Sequence, residues 1–244
     1  MACMVELKDV GFSAQGKSIV RGLSFHFEEG KATALTGPSG CGKSTVLKLA
    51  AGLFPPSEGE VLFRGEDITR MNRQENLAFR RESAVVFQDS ALWANQNLYQ
   101  TLELPLRVHF PLMTKKEREE RIEAVAAEVG YKRDLGIRPA ELSIGEQKLL
   151  GFARAMICHP RLLYLDEWTE SLDQSAAQRL IDLVKRFKGQ GVSIIFVSHD
   201  IRIIRELADI AVMILDGRIS LQLTKEQINN DEELSRYIER GMAS

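Results

Sequence analysis

Nine residues, Gly-Pro-Ser-Gly-Cys-Gly-Lys-Ser-Thr from Gly37 to Thr45, constrain this chain more than any other stretch. They match the phosphate-loop pattern G-x-x-x-x-G-K-[ST], with Gly37 and Gly42 as the spaced glycines. Glycines let a backbone turn its N–H groups inward with no Cβ in the way, and those amides form an anion nest at a helix N-terminus. Gly37, Pro38, Ser39, Gly40, Cys41, Gly42, Lys43, Ser44 and Thr45 are therefore expected to cradle phosphates. Lys43 would reach the β- and γ-phosphates as a mobile charge, and the Ser44 hydroxyl would hold Mg²⁺. The ligand implied is a nucleoside triphosphate.

The flanking sequence has the order such a loop requires. Lys31 to Thr36 is short and β-branched, as a strand should be, and Val46 to Ala51 reads as a helix ended by Gly52 and the Pro55-Pro56 breaker. A strand, a loop and a helix follow one another without a gap.

The rest of the chain repeats strands and helices around this unit. Val5 to Phe12 and Leu23 to Phe27 alternate apolar and polar residues, Glu60 to Phe63 is a further short strand, and Arg73 to Glu82 is helical in composition. Ala84 to Gln88 reads as a buried strand with a polar exit. From Asp89 to about Met156 the pattern becomes helical: Ala91 to Leu106, Thr114 to Val129 with Thr114 and Glu117 in capping-box spacing, and Gly145 to Ile157. Strands at Arg161 to Asp166, Val192 to Ser198 and Ile210 to Asp216 then alternate with helices at Gln174 to Lys188 and Asp200 to Leu207, which predicts a mostly parallel sheet covered on both faces. Arg218 to Leu223 would add a hairpin strand, and Lys225 to Arg240 a polar helical tail.

At 244 residues, one large domain or a core with a small inserted subdomain is expected. A formal charge of −2 supplies no general field to draw the chain to nucleic acid or to an anionic membrane. Cys3, Cys41 and Cys158 are odd in number and scattered, one of them inside the phosphate loop, so a reducing compartment is expected. No apolar run approaches 18 residues and the start lacks a signal-peptide pattern, so a membrane role would come through a partner.

Two strand ends carry chemistry. Leu162 to Leu165 is an apolar strand ending in Asp166 and Glu167; beside a phosphate loop, Asp166 can hold Mg²⁺ through the second shell and Glu167 can polarise the attacking water. Ile194 to Val197 ends in Ser198, His199 and Asp200, where His199 could hydrogen-bond the γ-phosphate and stabilise charge developing in the transition state.

Taken in order, these motifs resemble the ATP-binding cassette (ABC) ATPases, the nucleotide-binding subunits of ABC transporters, over nearly the whole chain. Gln88 matches the Q-loop glutamine, a ligand of Mg²⁺; Leu142-Ser143-Ile144-Gly145-Glu146 matches the signature; Glu170-Ser171-Leu172-Asp173 matches the D-loop; and His199 matches the switch histidine. Phe12 falls where the family places an aromatic that stacks on adenine. The resemblance implies an α/β fold, a P-loop NTPase (RecA-like) core with an antiparallel β subdomain and an inserted α-helical subdomain. Residues 1–88 and 157–223 would form the core with its β subdomain, 89–156 the helical subdomain, and 224–244 a helical tail. It implies an ATPase using ATP and Mg²⁺, with Glu167, His199, Gln88 and Lys43 in catalytic roles. It also implies a head-to-tail dimer, most simply of two identical chains, in which Ser143, Gly145, Glu146 and Asp173 of one copy meet the nucleotide held by the other. Transmembrane permease subunits would complete the assembly at the cytoplasmic face of an inner membrane.

Within that family the chain departs at several positions. Ile144 stands where glycine is usual, Glu146 where glutamine is frequent, Trp168 for the proline after the catalytic glutamate, and Glu170-Ser171 for a small pair. A β-branched residue at position 144 restricts backbone approach to a phosphate, which suggests slow or partner-dependent hydrolysis. The stretch from Phe87 to Trp93, continuing through Asn97 to Arg107, and the tail from Asn230 through Tyr237-Ile238, look like Mla-type ATPases, which energise phospholipid transport with Mce-domain partners. Another ABC importer or lipoprotein exporter, or an ATP-gated scaffold similar to the cell-division member of the family, is the alternative. Leu92, Trp93, Leu98 and Tyr99 would border a groove for a membrane subunit's helix, or else pack inside the helical insertion.

Overall fold

A computed structural model describes residues 3–230. Among the described residues it divides into two compact units, one of residues 3–76 and 187–230 and the other of residues 77–186. In chain order the elements are β1 (Cys3–Ala14), β2 (Lys17–Glu28), β3 (Ala32–Thr36), α1 (Lys43–Ala50), β4 (Glu58–Phe63), β5 (Glu66–Asp67), α2 (Arg73–Glu82) and β6 (Ser83–Val86). There follow α3 (Leu98–His109), α4 (Lys115–Glu128), a 3-10 turn at Pro139–Glu141, α5 (Ile144–Met156), β7 (Leu162–Asp166) and α6 (Gln174–Gly189). The chain continues with β8 (Ser193–Val197), α7 (Ile201–Leu207), β9 (Ile210–Leu215), β10 (Arg218–Thr224) and α8 (Lys225–Asn230).

The first unit holds two sets of paired strands. β1 lies antiparallel between β2 and β4, and β5 pairs with β4, giving the order β2-β1-β4-β5. β3 runs parallel to both β8 and β9, and β9 turns back into β10 as the expected hairpin. Every residue of β3 and of β8 is buried, as a parallel strand covered on both faces should be, which is why Ala-Thr-Ala-Leu-Thr and Ser-Ile-Ile-Phe-Val read as continuous runs. β2 is longer than the alternation indicates, beginning at Lys17 instead of Leu23. Register shifts between Val10 and Phe12 and between Phe12 and Ser13, with left-handed Gln15 and Gly16 at the hairpin turn, break the two-residue period that the eye follows.

The second unit pairs β6 with β7 in parallel and gathers α3, α4 and α5. The helix anticipated from Ala91 begins only at Leu98. Ser90 and Ala91 have φ of 61° and 44°, and Asn97 caps α3 in a capping box with Gln100, so the apolar Ala-Leu-Trp run lies in turns ahead of the helix. α4 starts where its sequence indicates: the Thr114 hydroxyl accepts from the Glu117 amide and the Glu117 carboxylate accepts from the Thr114 amide at 2.7 Å. Thr114→Ala should cost about 1 kcal/mol, read as a thermal midpoint lower by about 2–4 °C in calorimetry; no shift would mean water replaces the cap without loss. Of the polar tail, α8 is seen as far as Asn230, and the likeness noted from Asp231 to Ile238 lies outside the described residues.

Candidate functional site

The phosphate loop lies in the first unit, between the end of β3 and the start of α1. Gly42 is the N-cap of α1 with φ of 103°, and no side chain caps the helix, so its leading amides are the kind of donor set an anion can engage. Gly37 has φ of 136°, and a Cβ built there would overlap the carbonyl oxygen of Ile214 and lie 3.1 Å from Cys41 Sγ; only glycine fits. Lys43 is buried, and its Nζ donates to the carbonyl oxygens of Gly37 and Pro38, each at 2.8 Å. The ammonium thus holds the loop's own backbone in the curve that a phosphate would need. Burial pushes the Cys41 thiol up, against the pull of the neighbouring Lys43.

Two other expected residues lie in the same unit. His199 is exposed just beyond β8, and Asp200 beside it caps α7, accepting from the Arg202 amide at 2.9 Å. Phe12 stacks on Phe54, ring centroids 5.4 Å apart and planes nearly parallel, beside a cavity of about 340 Å³ lined by Gly11, Phe12, Ser57, Glu58 and Arg218.

The second unit holds Gln88, Asp166, Glu167, the signature and the D-loop. All of β7 is buried, including Asp166 at 4% exposure, and the strand delivers Glu167 into a left-handed conformation, φ 45°. A non-glycine residue held there stores strain, a pattern that clusters at working sites. The turn after it is closed by a bond from the Glu170 amide to the Glu167 carbonyl at 3.1 Å, and Trp168, in the place of the family's proline, is fully buried.

The signature and D-loop line one cavity of about 310 Å³, to which Ser143, Ile144, Glu146, Ser171, Asp173 and Arg179 contribute. Ser143 is the N-cap of α5 and Asp173 accepts from the Ala176 amide at 2.8 Å, so both motifs are helix starts. The helix end at Ser143 already carries an anion of its own. The Glu146 carboxylate accepts from the Ser143 amide and hydroxyl, both at 2.9 Å, and from Arg133 Nη1 at 3.1 Å. The Ser143 amide, and then Arg133, hold that carboxyl below the usual range. Ile144, in the first turn of α5, is exposed.

No group of three or more His, Cys, Asp or Glu residues suited to a metal occurs among the described residues. Mg²⁺ does not ask for one: it takes a few hard oxygens from protein and the rest from phosphates and water. The Ser44 hydroxyl, the Gln88 amide oxygen and the Asp166 carboxylate are all of that kind, so the donor chemistry fits.

An ABC transporter family model matches residues 20–170. The chain is 32% identical over 232 residues to the intermembrane phospholipid transport system ATP-binding protein MlaF of Haemophilus influenzae, covering 95% of this chain and 88% of that protein. It is 33% identical over 204 residues to the cell division ATP-binding protein FtsE of Escherichia coli, 84% of this chain and 91% of that protein. The chain belongs to the ABC transporter family. It is an ATPase subunit of the cassette kind. The nickel import ATP-binding protein NikE of Brucella suis is 36% identical over 214 residues, 86% of this chain and 80% of that protein. Among solved structures, the ATP-binding cassette MJ0796, a dimer in a post-hydrolysis state bound to ADP and Pi, superposes with a TM-score of 0.83 at 26% identity, over 91% of this chain and 99% of that one. The α/β nucleotide-binding fold expected from the motifs is that of the cassettes.

Three side chains make contacts that the motifs do not show. Lys148, 2% exposed, donates to the Gln88 carbonyl oxygen; Glu170 accepts from Gln88 Nε2; Arg133 pairs with Glu146. Lys148 left a trace in the sequence, a cation on the buried face of α5 one turn before Phe152. Glu170 showed only as a departure from a small residue, and Arg133 lies in a loop without any pattern.

Proposed function

We propose that this cassette binds and hydrolyses ATP with Mg²⁺ as a homodimer and drives a phospholipid transporter of the Mla type. Lys43 and the backbone N–H groups of the Gly37 to Thr45 loop, Pro38 having none, hold the triphosphate, and Phe12 stacks on the base. Bound Mg²⁺, held by Ser44, Gln88 and, through water, Asp166, would neutralise charge on the phosphates. Glu167 takes the proton of the attacking water as general base, and His199 donates to the γ-phosphate oxygen where charge accumulates. Ser143, Gly145, Glu146 and Asp173 engage the nucleotide of a second copy. Each charge-assisted hydrogen bond to the γ-phosphate contributes about 1.5–3 kcal/mol to closure, and hydrolysis removes it, so opening and closing can drive a partner. Arg133 offsets the charge that Glu146 brings to that helix end, where a glutamine would bring none.

The observation that carries the lipid reading is the extent of the match to MlaF, 95% of this chain. The region after Gln88 agrees with a docking role. Trp93 is 43% exposed with the Arg154 guanidinium 5.8 Å above its ring, and Leu104 and Val108 on α3 are exposed too, whereas Leu98 is core. Transmembrane permease subunits, with Mce-domain proteins in the same system, are the partners proposed, and they would hold the chain at the cytoplasmic face of the inner membrane. No helix among the described residues is long and apolar enough to cross a membrane. The likeness to FtsE supports a second reading, a scaffold that signals by dimer closure.

Turnover measured with and without the permease in phospholipid vesicles separates the two. A transporter subunit is expected to be stimulated by its permease and further by lipid cargo; turnover indifferent to cargo would favour the scaffold. Sedimentation of the Glu167→Gln protein in ATP and Mg²⁺ is expected to show a dimer that ADP dissolves. A monomer at saturating nucleotide, alone and with the permease, would end the sandwich model.

A further inference from the structure

Gln88 is gripped at two points by a pair of opposite charges. The Lys148 ammonium donates to its main-chain oxygen, and the Glu170 carboxylate accepts from its side-chain Nε2. Lys148 is almost wholly buried, a rare place for a lysine unless it is paired, and Glu170, Asp89 and Glu167 supply the surrounding negative charge. Glu170 itself sits in the tight turn closed on the Glu167 carbonyl and followed by left-handed Ser171, φ 64°, so its backbone has little room to wander.

An ionised carboxylate can only accept hydrogen bonds, whereas an amide has one end that donates and one that accepts. Facing Glu170, the Gln88 amide has one favourable orientation: nitrogen toward the carboxylate, oxygen away from it. A serine or alanine at position 170 would leave the two flips close in energy, and the wrong one turns an NH₂ group toward a cation. Resting on the reading above that Gln88 is a magnesium ligand, we propose that Glu170, braced by Lys148, is the positioning residue that sets the Gln88 amide so that Oε1 is the atom offered to the divalent ion. The acidic residue at the head of the D-loop, a departure from the family's small residue, thereby acquires a role in metal use. Partners that orient a metal ligand typically change metal affinity by about 10–100-fold when removed.

The test uses the full-length protein and reads metal binding as well as turnover. Glu170→Ser is expected to raise the Mg²⁺ concentration for half-maximal ATP hydrolysis by about tenfold, while the plateau at high Mg²⁺ falls by no more than about twofold, a split in KM against kcat for the metal. In the Glu167→Gln background, where ATP is not consumed, Mn²⁺ titrated into the ATP-bound protein and followed by electron paramagnetic resonance should lose affinity by the same factor. Glu170→Asp, which keeps the acceptor, should recover part of it. In a Gln88→Ala background, Glu170→Ser should change neither curve, because the amide to be oriented is gone. Metal curves unmoved by Glu170→Ser, or a shift that persists without Gln88, would overturn the proposal while leaving the ATPase reading in place. A wild-type protein that binds no ATP in a fluorescent-nucleotide titration would instead remove that reading, and this inference with it.

Discussion

Glu167→Gln should bind ATP as tightly as the unaltered protein and hydrolyse it at least about 100-fold more slowly, the range expected when a general base loses its proton affinity. The substitution keeps shape and hydrogen-bonding reach but replaces an acceptor of protons with an amide. Glu167 is delivered by a wholly buried strand and held at φ 45°, so the side chain that replaces it would occupy the same place. Single-turnover quench-flow set beside a binding titration separates the two quantities. Unchanged turnover with intact binding would take Glu167 out of the role of base.

Gly37→Ala should be the most damaging small substitution for the fold. At φ 136° an L-residue is strained wherever it sits, and here a Cβ also meets the Ile214 carbonyl oxygen on β9, a backbone atom that cannot swing away. Strain and overlap together should cost about 3 kcal/mol or more, which would lower the urea midpoint by about 1 M or more. Nucleotide affinity should fall with it, because the Gly37 carbonyl is one of the two oxygens through which Lys43 shapes the loop. An unmoved midpoint would show that β9 yields to the added methyl group.

Much of this molecule is legible in its residues because the physics concerned is local. A phosphate loop needs glycine at fixed spacing, a buried parallel strand needs an unbroken apolar run, and a helix start needs a side-chain acceptor followed three residues later by an acid or amide. Lys31 to Thr36, the Gly37 to Thr45 loop and the Thr114 cap could all be read on those terms, and α4 begins at the residue its capping box indicates. Where local rules met an irregularity the reading failed. β2 is six residues longer at its start than the alternation shows, because extra residues in β2 between Ser18 and Val20 and between Val20 and Leu23 shift its pairing with β1, and α3 begins later than the apolar run after Gln88 because Asn97 supplies the cap and left-handed Ser90 and Ala91 bend the chain before it.

Departures from the family pattern were visible as departures and no more. Trp168 in place of proline becomes intelligible once it is seen wholly buried, and Glu146 in place of glutamine once Arg133 is seen against it. Glu170 is explained only by Gln88, 82 positions away, and by Lys148, itself bonded to Gln88 across 60 positions.

The sequence alone indicated the ligand chemistry to expect: a lysine and a hydroxyl after a glycine-rich turn, and paired acids at the end of an apolar strand, are the residue types a magnesium triphosphate calls for. It determined the parallel strands and the Thr114 cap as well, since those follow from neighbours a few residues apart. Tertiary structure decided which charges meet. Glu170 with Gln88, Lys148 with the same residue's carbonyl, and Arg133 with Glu146 are contacts between side chains distant along the chain. Their energies depend on a separation of a few ångströms, which is not written in the order of residues.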